Sequence, residues 1–374
     1  MKIKAAILRT ITSQRPFSVS KPLSIEEVDL DPPKRGEVLI KIKAVGLCHS
    51  DLVAITGERA KPMPIVIGHE AAGIVEEIGQ DVQGFAIGDH VVPSYVASCG
   101  RCEMCSVGRP ALCEPATLSN AKAVLKDGTT RLWQGTTPIH HHSGVAGFAE
   151  YSVLPEEALV TIDKSIPFEH AALFGCSVVT GVGSVINSAE AKPGQFIAVV
   201  GLGGVGLSAV LAALAIGAGQ VLALDLSQEK LQFAKELGVH HALNAVDERL
   251  VEKVMSLTGG GVHCAIETAG SGQALQTAYN ITRRGGTTVA AGMPSAETTI
   301  NLSHLKITAE ERCIKGSYMG SCVAKRDIPR YLNMFQNGIL PVNKLMSRSI
   351  GFEDLNAAMD RLADAKTIRE VLIP

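Results

Sequence analysis

The sequence is short of aromatic residues and of any excess of charge. Phe, Trp and Tyr make up 4% of its 374 residues, and 35 Lys and Arg face 37 Asp and Glu, giving a net charge of −2. A near-neutral chain is not expected to hold nucleic acid or an anionic membrane mainly by charge. Charged residues at 19% beside hydrophobic residues at 46% also exclude intrinsic disorder. Frequent glycine favours an α/β protein with tight turns, and the length suggests two domains.

The N-terminus has no apolar run of signal-peptide length, so a cytoplasmic protein is expected. The longest uncharged run, 196–224, is long enough to span a bilayer, but it contains six glycines and is followed by Asp225. A buried strand, a glycine-rich turn and a buried helix explain this run better than a membrane span does. We therefore expect no membrane partner.

Two patterns of secondary structure divide the chain. Up to about residue 110, short apolar stretches alternate with Gly, Pro and Asp breaks, which is typical of a β-rich unit. From about residue 178, strands and helices alternate, which predicts a parallel sheet with helices on both faces. A mixed pattern returns beyond about residue 318. Residues 115–147 are polar and without clear period, and we expect a surface loop or a pair of short strands there.

A glycine-rich turn follows the predicted strand Phe196–Val200 and precedes an apolar helix. Its sequence matches GxGxxG and reads Gly201-Leu202-Gly203-Gly204-Val205-Gly206. Such glycines let the backbone approach a pyrophosphate at the positive end of a helix. Asp225 ends the next predicted strand, where it can accept hydrogen bonds from ribose hydroxyls and would repel a 2′-phosphate, so NAD is favoured over NADP. The alternative is an ordinary turn with an incidental acid.

Four of the nine cysteines crowd into 15 residues, and they are Cys99, Cys102, Cys105 and Cys113. Four thiolates around zinc form a closed tetrahedral site that orders a loop and does no chemistry. Reduced or redox-active cysteines and an iron–sulfur cluster are the alternatives. Cys48, His69 and Cys176 remain as a second candidate set, with one position open for a catalytic zinc. Their spacing alone is a weak case, because a lone buried Cys or His is common.

Together these residues resemble the zinc-containing, medium-chain alcohol dehydrogenases over essentially the whole chain, and among them the bacterial aryl or allylic alcohol dehydrogenases. The matching segments are Gly46-Leu47-Cys48-His49-Ser50-Asp51, Gly68-His69-Glu70-Ala71-Ala72-Gly73, Gly79, the four-cysteine cluster, Gly175-Cys176, the glycine turn with Asp225, and Ile368-Arg369. The resemblance implies a Rossmann-type doubly wound parallel sheet and a β-rich GroES-like catalytic domain. It assigns the catalytic domain to 1–177 and 319–374, NAD binding to 178–318, and substrate to the cleft between them.

The resemblance also implies two zinc ions per subunit and a role for each residue near them. Cys48, His69 and Cys176 would bind the catalytic zinc, and the four-cysteine cluster the structural one. Glu70 would lie behind the catalytic metal, Asp51 would orient His69, and Ser50 would accept the alcohol proton. The contacts to NAD would come from His49, Gly201, Gly203, Gly204, Val205, Gly206, Asp225, Lys230 and Arg369.

The implied reaction is hydride transfer between NAD and a small-molecule primary alcohol, giving the aldehyde. The residues expected to face the substrate are Ser50, Tyr95, Leu118, His142, Met293 and Tyr318, a mostly apolar set. They favour a benzylic, allylic or terpenoid, or medium-chain alcohol over ethanol. Val53 stands where some family members have the last histidine of the proton relay, so water or His49 would serve instead.

Three points stay open. The enzyme could be a nicotinoprotein whose NAD never leaves. A thiol-dependent formaldehyde dehydrogenase shares most motifs, but the arginine that it carries after the last cysteine of the cluster is absent from Glu114-Pro115-Ala116-Thr117. The long 115–147 segment resembles the dimeric branch, so a homodimer is expected, with a tetramer as the alternative.

Overall fold

Ten strands and five α-helices occupy the first 176 residues of the computed structural model, which describes residues 1–374. The strands are β1 (Lys2–Leu8), β2 (Leu23–Leu30), β3 (Glu37–Gly46), β4 (Ile65–Val66), β5 (Glu70–Ile78), β6 (His90–Pro93), β7 (Leu132–Gln134), β8 (Thr137–His141), β9 (Tyr151–Pro155) and β10 (Leu159–Ile162). The helices are α1 (Phe17–Ser20), α2 (His49–Thr56), α3 (Glu103–Ser106), α4 (Glu114–Lys122) and α5 (Phe168–Ala172). This stretch is β-rich, as the sequence predicts.

The middle of the chain alternates helix and strand. The helices are α6 (Ser177–Gly183), α7 (Gly204–Ala215), α8 (Gln228–Leu237), α9 (Leu250–Thr258), α10 (Gly272–Ile281) and α11 (His304–Ala309). The strands are β11 (Phe196–Val200), β12 (Gln220–Asp225), β13 (His241–Asn244), β14 (Val262–Glu267), β15 (Thr282–Ala290) and β16 (Cys313–Gly316). The C-terminal part adds α12 (Ala324–Gln336), β17 (Met346–Ile350), α13 (Leu355–Ala363) and β18 (Arg369–Leu372).

The chain forms two compact units. The first comprises Met1–Cys176, Val323–Gln336 and Asn343–Pro374, and the second comprises Ser177–Cys322 and Asn337–Val342. The first unit is therefore discontinuous in sequence, because the C-terminal part of the chain returns to it. Ser177, residues 319–322 and the short segment Asn337–Val342 fall in the second unit, although the sequence places 1–177 and 319–374 with the first.

The first unit contains a closed barrel and a larger sheet. The barrel order is β1-β2-β7-β8-β4, and the sheet order is β10-β6-β5-β3-β18-β17, with β9 also paired to β3. Inward side chains of both sheets share one hydrophobic core that includes Ile3, Val38, Ile40 and Phe148. Because β18 pairs with β3, the C-terminal strand brings Arg369 to the sheet that carries the segment before Cys48.

A buried ion pair links the barrel to the larger sheet. The Arg131 guanidinium, fully buried, donates from Nε to Glu37 Oε2 over 2.9 Å and from Nη2 to Asp127 Oδ2 over 2.6 Å. Glu37 begins β3, whereas Arg131 immediately precedes β7. Because a buried charge without its partner is costly, removing Glu37 would destabilise this junction strongly.

The second unit is a parallel sheet of six strands in the order β13-β12-β11-β14-β15-β16. The chain enters this sheet at the central strand β11, continues outwards to β13, and then adds β14, β15 and β16 on the other side of β11. This is the strand order of the doubly wound dinucleotide-binding fold. Apolar residues such as Ala198, Val200, Leu222 and Leu224 fill its core. The reversal lies between β11 and β14, and ligands of such sheets bind at the carboxyl ends of the strands there.

The uncharged run 196–224 folds as the sequence predicts, into β11, the glycine turn, α7 and most of β12. No single helix of the chain is both long and apolar enough to cross a bilayer, and one bent helix pair meets the criteria only by length and composition. The prediction for 115–147 is correct for the strand pair β7 and β8. It is wrong for α4, a helix whose polar sequence carries no apolar stripe and which begins at the last cysteine of the cluster.

Candidate functional site: two zinc centres and a glycine-rich turn

The four-cysteine cluster is formed in one segment that contains the short helix α3 and leads into α4. The Sγ atoms of Cys99, Cys102, Cys105 and Cys113 all lie within 4.8 Å of one another. Cys102 and Cys113 immediately precede α3 and α4, and their sulfur atoms are 3.9 Å apart. Around a tetrahedral zinc with Zn–S bonds of about 2.3 Å, sulfur atoms are separated by about the distance that is found between Cys102 and Cys113. The arrangement fits a closed structural zinc site.

Backbone N–H groups support the sulfur atoms of this cluster. The N–H of Cys99 donates to Cys113 Sγ and the N–H of Cys102 donates to Cys99 Sγ, each over 3.3 Å. Hydrogen bonds from the backbone of Arg101 and Cys102 lower the pKa of Cys99 to about 6. A thiolate is the form that ligates metal, so the loop backbone prepares this sulfur for zinc.

The second candidate set, Cys48, His69 and Cys176, comes from three separate segments of the first unit. Their ligand atoms lie within 4.8 Å of one another, and all three side chains are buried. Cys48 is the N-cap of α2, and His69 immediately precedes β5. Gly68 adopts φ +86, and a side chain there would press on Phe148, so only glycine lets the chain turn His69 inward. The donor set of two sulfur atoms and one imidazole fits a zinc with an open position.

The three side chains of this set shift one another's pKa values. The hydrogen bond from Cys176, together with the nearby His69, holds the pKa of Cys48 well below its usual value against the effect of burial. Burial alone would lower the pKa of His69, but the Asp51 carboxylate and Cys48 raise it to about 10. A buried thiolate beside an imidazolium is the state that a zinc ion would replace by displacing protons.

Asp51 holds His69 in place. Asp51 Oδ1 lies 3.2 Å from His69 Nδ1 and accepts the N–H of Gly68 over 3.0 Å, while Oδ2 accepts the N–H of Cys48 over 3.0 Å. The contact at Nδ1 leaves Nε2 of His69 for a metal, which is how a carboxylate orients a metal-binding histidine. His142 Nδ1 lies 3.4 Å from the same Asp51 oxygen, and its ring meets the His69 ring edge-on. Asp51, His69 and His142 thus form an orienting network around one carboxylate.

Glu70 and Arg369 contact each other in the buried interior of the first unit. Gly46 on β3 makes room for them, because a Cβ there would overlap the Glu70 carboxylate. Arg369 Nε is buried without a hydrogen-bond partner, and burial lowers the pKa of this guanidinium. Glu70 already pairs with this guanidinium, so a contact of Arg369 with the NAD pyrophosphate stays a prediction.

The glycines of the GxGxxG turn are needed for different reasons. Gly201 has φ +95, and a Cβ there would lie 2.8 Å from the Ala269 nitrogen. Gly206 lies so close to the Gly201 carbonyl that a Cβ would overlap it. Gly203, the N-cap of α7, has ordinary φ, and a Cβ there would meet nothing. The chain itself does not require glycine at 203, so the open space fits a pyrophosphate that approaches the backbone.

Asp225 ends β12 beside this turn. Its Oδ2 accepts the N–H of Leu202 over 2.6 Å, and its Oδ1 accepts the N–H of Ser227 over 2.9 Å. These bonds fix the carboxylate next to the glycine turn, where an adenosine ribose lies in this fold. Lys230 is half-buried in the first turn of α8.

The predicted substrate residues are distributed unevenly. Tyr95 and His142 flank His69, with ring centroids 5.7 and 5.3 Å from the His69 ring. Ser50 is half-buried and His49 is exposed, both in the first turn of α2. Leu118 on α4 is 63% exposed, and Met293 and Tyr318, of the second unit, are 53% and 37% exposed. The roles of these six residues stay predictions.

The sequence analysis missed two features of this region. The contact between His142 and Asp51 joins residues 91 positions apart, and no spacing rule indicates it. Arg59 and Lys61 are half-buried in the segment between α2 and β4, although charged residues in a Pro-containing connection normally predict an exposed loop.

Comparison with known protein families divides the chain in two. Residues 34–164 match the alcohol dehydrogenase GroES-like domain, and residues 204–337 match the zinc-binding dehydrogenase domain. The first match contains the four-cysteine cluster and two of the three ligands of the second set. The other match contains the strands and helices that follow the glycine turn.

Comparison with individual proteins finds relatives along the whole chain. The S-(hydroxymethyl)glutathione dehydrogenase of Synechocystis sp. is 34% identical over 376 residues, covering 100% of both chains. Among solved structures, an alcohol dehydrogenase zinc-binding domain protein from Burkholderia ambifaria has a TM-score of 0.94 at 32% identity, covering 100% of this chain and 99% of the other. The benzyl alcohol dehydrogenase of Acinetobacter calcoaceticus has a TM-score of 0.93 at 30% identity, with the same coverage.

Proposed function

Because the chain belongs to the zinc-containing, medium-chain alcohol dehydrogenases, we propose that it oxidises a benzylic, allylic or terpenoid, or medium-chain primary alcohol to the aldehyde, reversibly. Membership of the family makes the protein an NAD-dependent oxidoreductase with zinc, acting on a small molecule. The observation that carries the proposal is the convergence of Cys48, His69 and Cys176, with Ser50 on the first turn after Cys48. Similarity to a benzyl alcohol dehydrogenase supports the substrate class.

When bound, zinc supplies a Lewis acid for the alcohol oxygen and NAD accepts the hydride. The chain positions both. Cys48, His69 and Cys176 would hold the metal, and Asp51 keeps His69 in the tautomer that presents Nε2. Ser50 is the first proton acceptor for the alcohol. Val53 provides no further proton acceptor, so the proton passes to water or to His49, which is exposed on the same helix.

The remaining assignments extend the proposal. Residues 1–177 and 319–374 form the catalytic domain, and 178–318 bind NAD through the glycine turn and Asp225. The protein is a cytoplasmic homodimer. Nine free cysteines, none in a disulfide, suit a reducing compartment, and light scattering of the purified protein tests the dimer.

A second candidate is the oxidation of S-(hydroxymethyl)glutathione, the reaction named for the Synechocystis relative. The stretch Glu114-Pro115-Ala116-Thr117 at the start of α4 argues against it, because it offers no cation to a carboxylate. The similarity of this relative over the whole chain supports this second candidate function.

The test is NADH formation by zinc-loaded enzyme at mildly alkaline pH. The alcohols are ethanol to octanol, benzyl alcohol, geraniol, and formaldehyde with glutathione. Turnover of the bulky alcohols well above ethanol is the expected result, and turnover of ethanol alone contradicts the substrate class. Turnover only with formaldehyde and glutathione favours the second candidate. NAD that co-purifies with the protein and does not exchange indicates a nicotinoprotein.

A further inference from the structure

Two half-buried cations lie in the segment between α2 and β4. Lys61 Nζ donates one hydrogen bond, to the Asn120 carbonyl over 2.8 Å, and Arg59 donates none to the chain. Neither side chain forms an ion pair. The acid of the same segment, Glu58, is exposed and accepts a hydrogen bond from the Thr56 hydroxyl instead.

Lys61 lies close to one of the predicted catalytic zinc ligands. The Asn120 side chain, whose backbone carbonyl binds Lys61, donates to the Tyr95 carbonyl over 2.7 Å, and the Tyr95 ring contacts the His69 ring. Lys61 is therefore two hydrogen bonds away from a residue that touches a zinc ligand, within one compact unit.

The chain occupies few of the donors of these two cations. An ammonium group has three N–H donors, and the Asn120 carbonyl accepts one of them, which leaves two for water or an anionic ligand. Burial and the adjacent Arg59 both lower the pKa of Lys61, so each cation makes the other less favourable. Two like charges held together without a counter-ion cost free energy, and an anion that binds between them would recover it.

We propose that Arg59 and Lys61 bind the carboxylate of an alcohol substrate, at the end of the molecule far from the reacting hydroxyl. The inference rests on the proposed function and narrows its substrate class to alcohols with an apolar middle and an anionic end. The Tyr95 ring, which contacts the His69 ring, provides an apolar wall. ω-Hydroxy acids, hydroxymethylbenzoates and carboxylated S-hydroxymethyl thiols share this chemistry.

The experiment compares alcohols that differ only in the charged end. The pairs are 4-(hydroxymethyl)benzoate with 4-(hydroxymethyl)benzamide, and ω-hydroxy acids of increasing length with their methyl esters. S-(hydroxymethyl)glutathione is a third arm that separates thiol adducts from simple hydroxy acids. For the matching length, we expect kcat/KM to favour the carboxylate by about 10- to 100-fold, the range of a charge-assisted hydrogen bond. Added salt should reduce this preference.

Variants assign the preference to the cations. Lys61→Met and Arg59→Met should each reduce the kcat/KM ratio of carboxylate to neutral alcohol by about tenfold, because KM for the carboxylate rises. The kcat/KM of the neutral alcohol should stay within about twofold of the original value. Lys61→Arg should keep the preference. The matched control is Lys122→Met, an exposed lysine at the end of α4. Zinc content and thermal midpoint of each variant show that the fold is intact.

Two results would overturn the inference while the proposed function stands: equal kcat/KM for carboxylate and neutral partner, or an equal loss for both in Lys61→Met. If no alcohol is oxidised, the proposed function fails, and calorimetric titration with benzoate and benzamide then decides the inference. Saturable benzoate binding that Lys61→Met removes supports the anion site. Equal binding of the two compounds, or no benzoate binding, overturns it.

Discussion

The two zinc sites of the first unit are assembled in opposite ways. The four-cysteine cluster takes all its ligands from 15 consecutive residues, and backbone N–H groups support its sulfur atoms. The catalytic set takes Cys48, His69 and Cys176 from three distant segments, and buried side chains such as Asp51 support it. A local site depends on one loop and stabilises that loop. A non-local site exists only once β3, β5 and α2 have packed, so its geometry depends on the whole unit.

The largest expected effect is the loss of activity when a ligand of the non-local site is replaced. Cys176→Ser should lower kcat by roughly 1,000-fold, because the Lewis acid contributes several kcal/mol to the transition state. Bound zinc should fall from two ions to one per chain, with the thermal midpoint little changed. Kinetics with benzyl alcohol and metal analysis check both. Cys264→Ser, a buried thiol outside both sites, is the control. Full activity in Cys176→Ser would show that this residue is not a ligand.

The second-largest effect is expected at the four-cysteine cluster, where the loss of a ligand should lower stability and largely preserve activity. Cys102→Ser should also remove one zinc, but it should lower the thermal midpoint by about 5–10 °C and leave kcat within about threefold. The reason is that the metal would hold the segment that contains α3 and leads into α4, which contributes no ligand to the catalytic set. Calorimetry and kinetics on the same sample measure it, with Cys313→Ser as control. An unchanged midpoint beside a loss of activity would reverse the assignment of the two sites.

The same contrast explains what the sequence could predict. Spacing alone indicates the four-cysteine site, because its ligands are neighbours in the chain. The same holds for the glycine turn, which lies between β11 and α7 as predicted, with Asp225 at the end of β12. Cys48, His69 and Cys176 formed only a weak candidate set until the family resemblance supported it, since the sheet pairings that bring them together are long-range.

Other features of the structure could not be predicted from the sequence, for physical reasons. Helix α4 has no apolar stripe, so periodicity could not reveal it. The contact between His142 and Asp51 depends on where β8 ends relative to α2. The burial of Lys61 depends on the position of Asn120, 59 residues later. Pairings of this kind follow from tertiary packing and leave no local pattern.

The third effect tests the support of the non-local site. Asp51→Asn should weaken zinc binding there by about 10- to 100-fold, the usual cost of losing a carboxylate behind a metal-binding histidine. The four-cysteine site should keep its zinc. Competition with a graded series of chelators, followed by metal analysis, measures both affinities in one protein. Equal weakening at both sites would mean that Asp51 supports the fold of the unit and not His69 in particular.

The smallest expected effect is the change in zinc affinity when one partner of Asp51, His142, is replaced. His142→Phe removes one contact to the carboxylate, but the N–H groups of Cys48 and Gly68 and the His69 ring still hold it. A phenyl ring can also keep the edge-on packing on His69, whose centroid lies 5.3 Å away. Zinc affinity in the chelator competition should therefore change by less than about threefold, since Asp51, which orients the metal ligand, keeps its other partners. A tenfold loss would instead make His142 the residue that positions Asp51, and the support of the non-local site would then extend to β8.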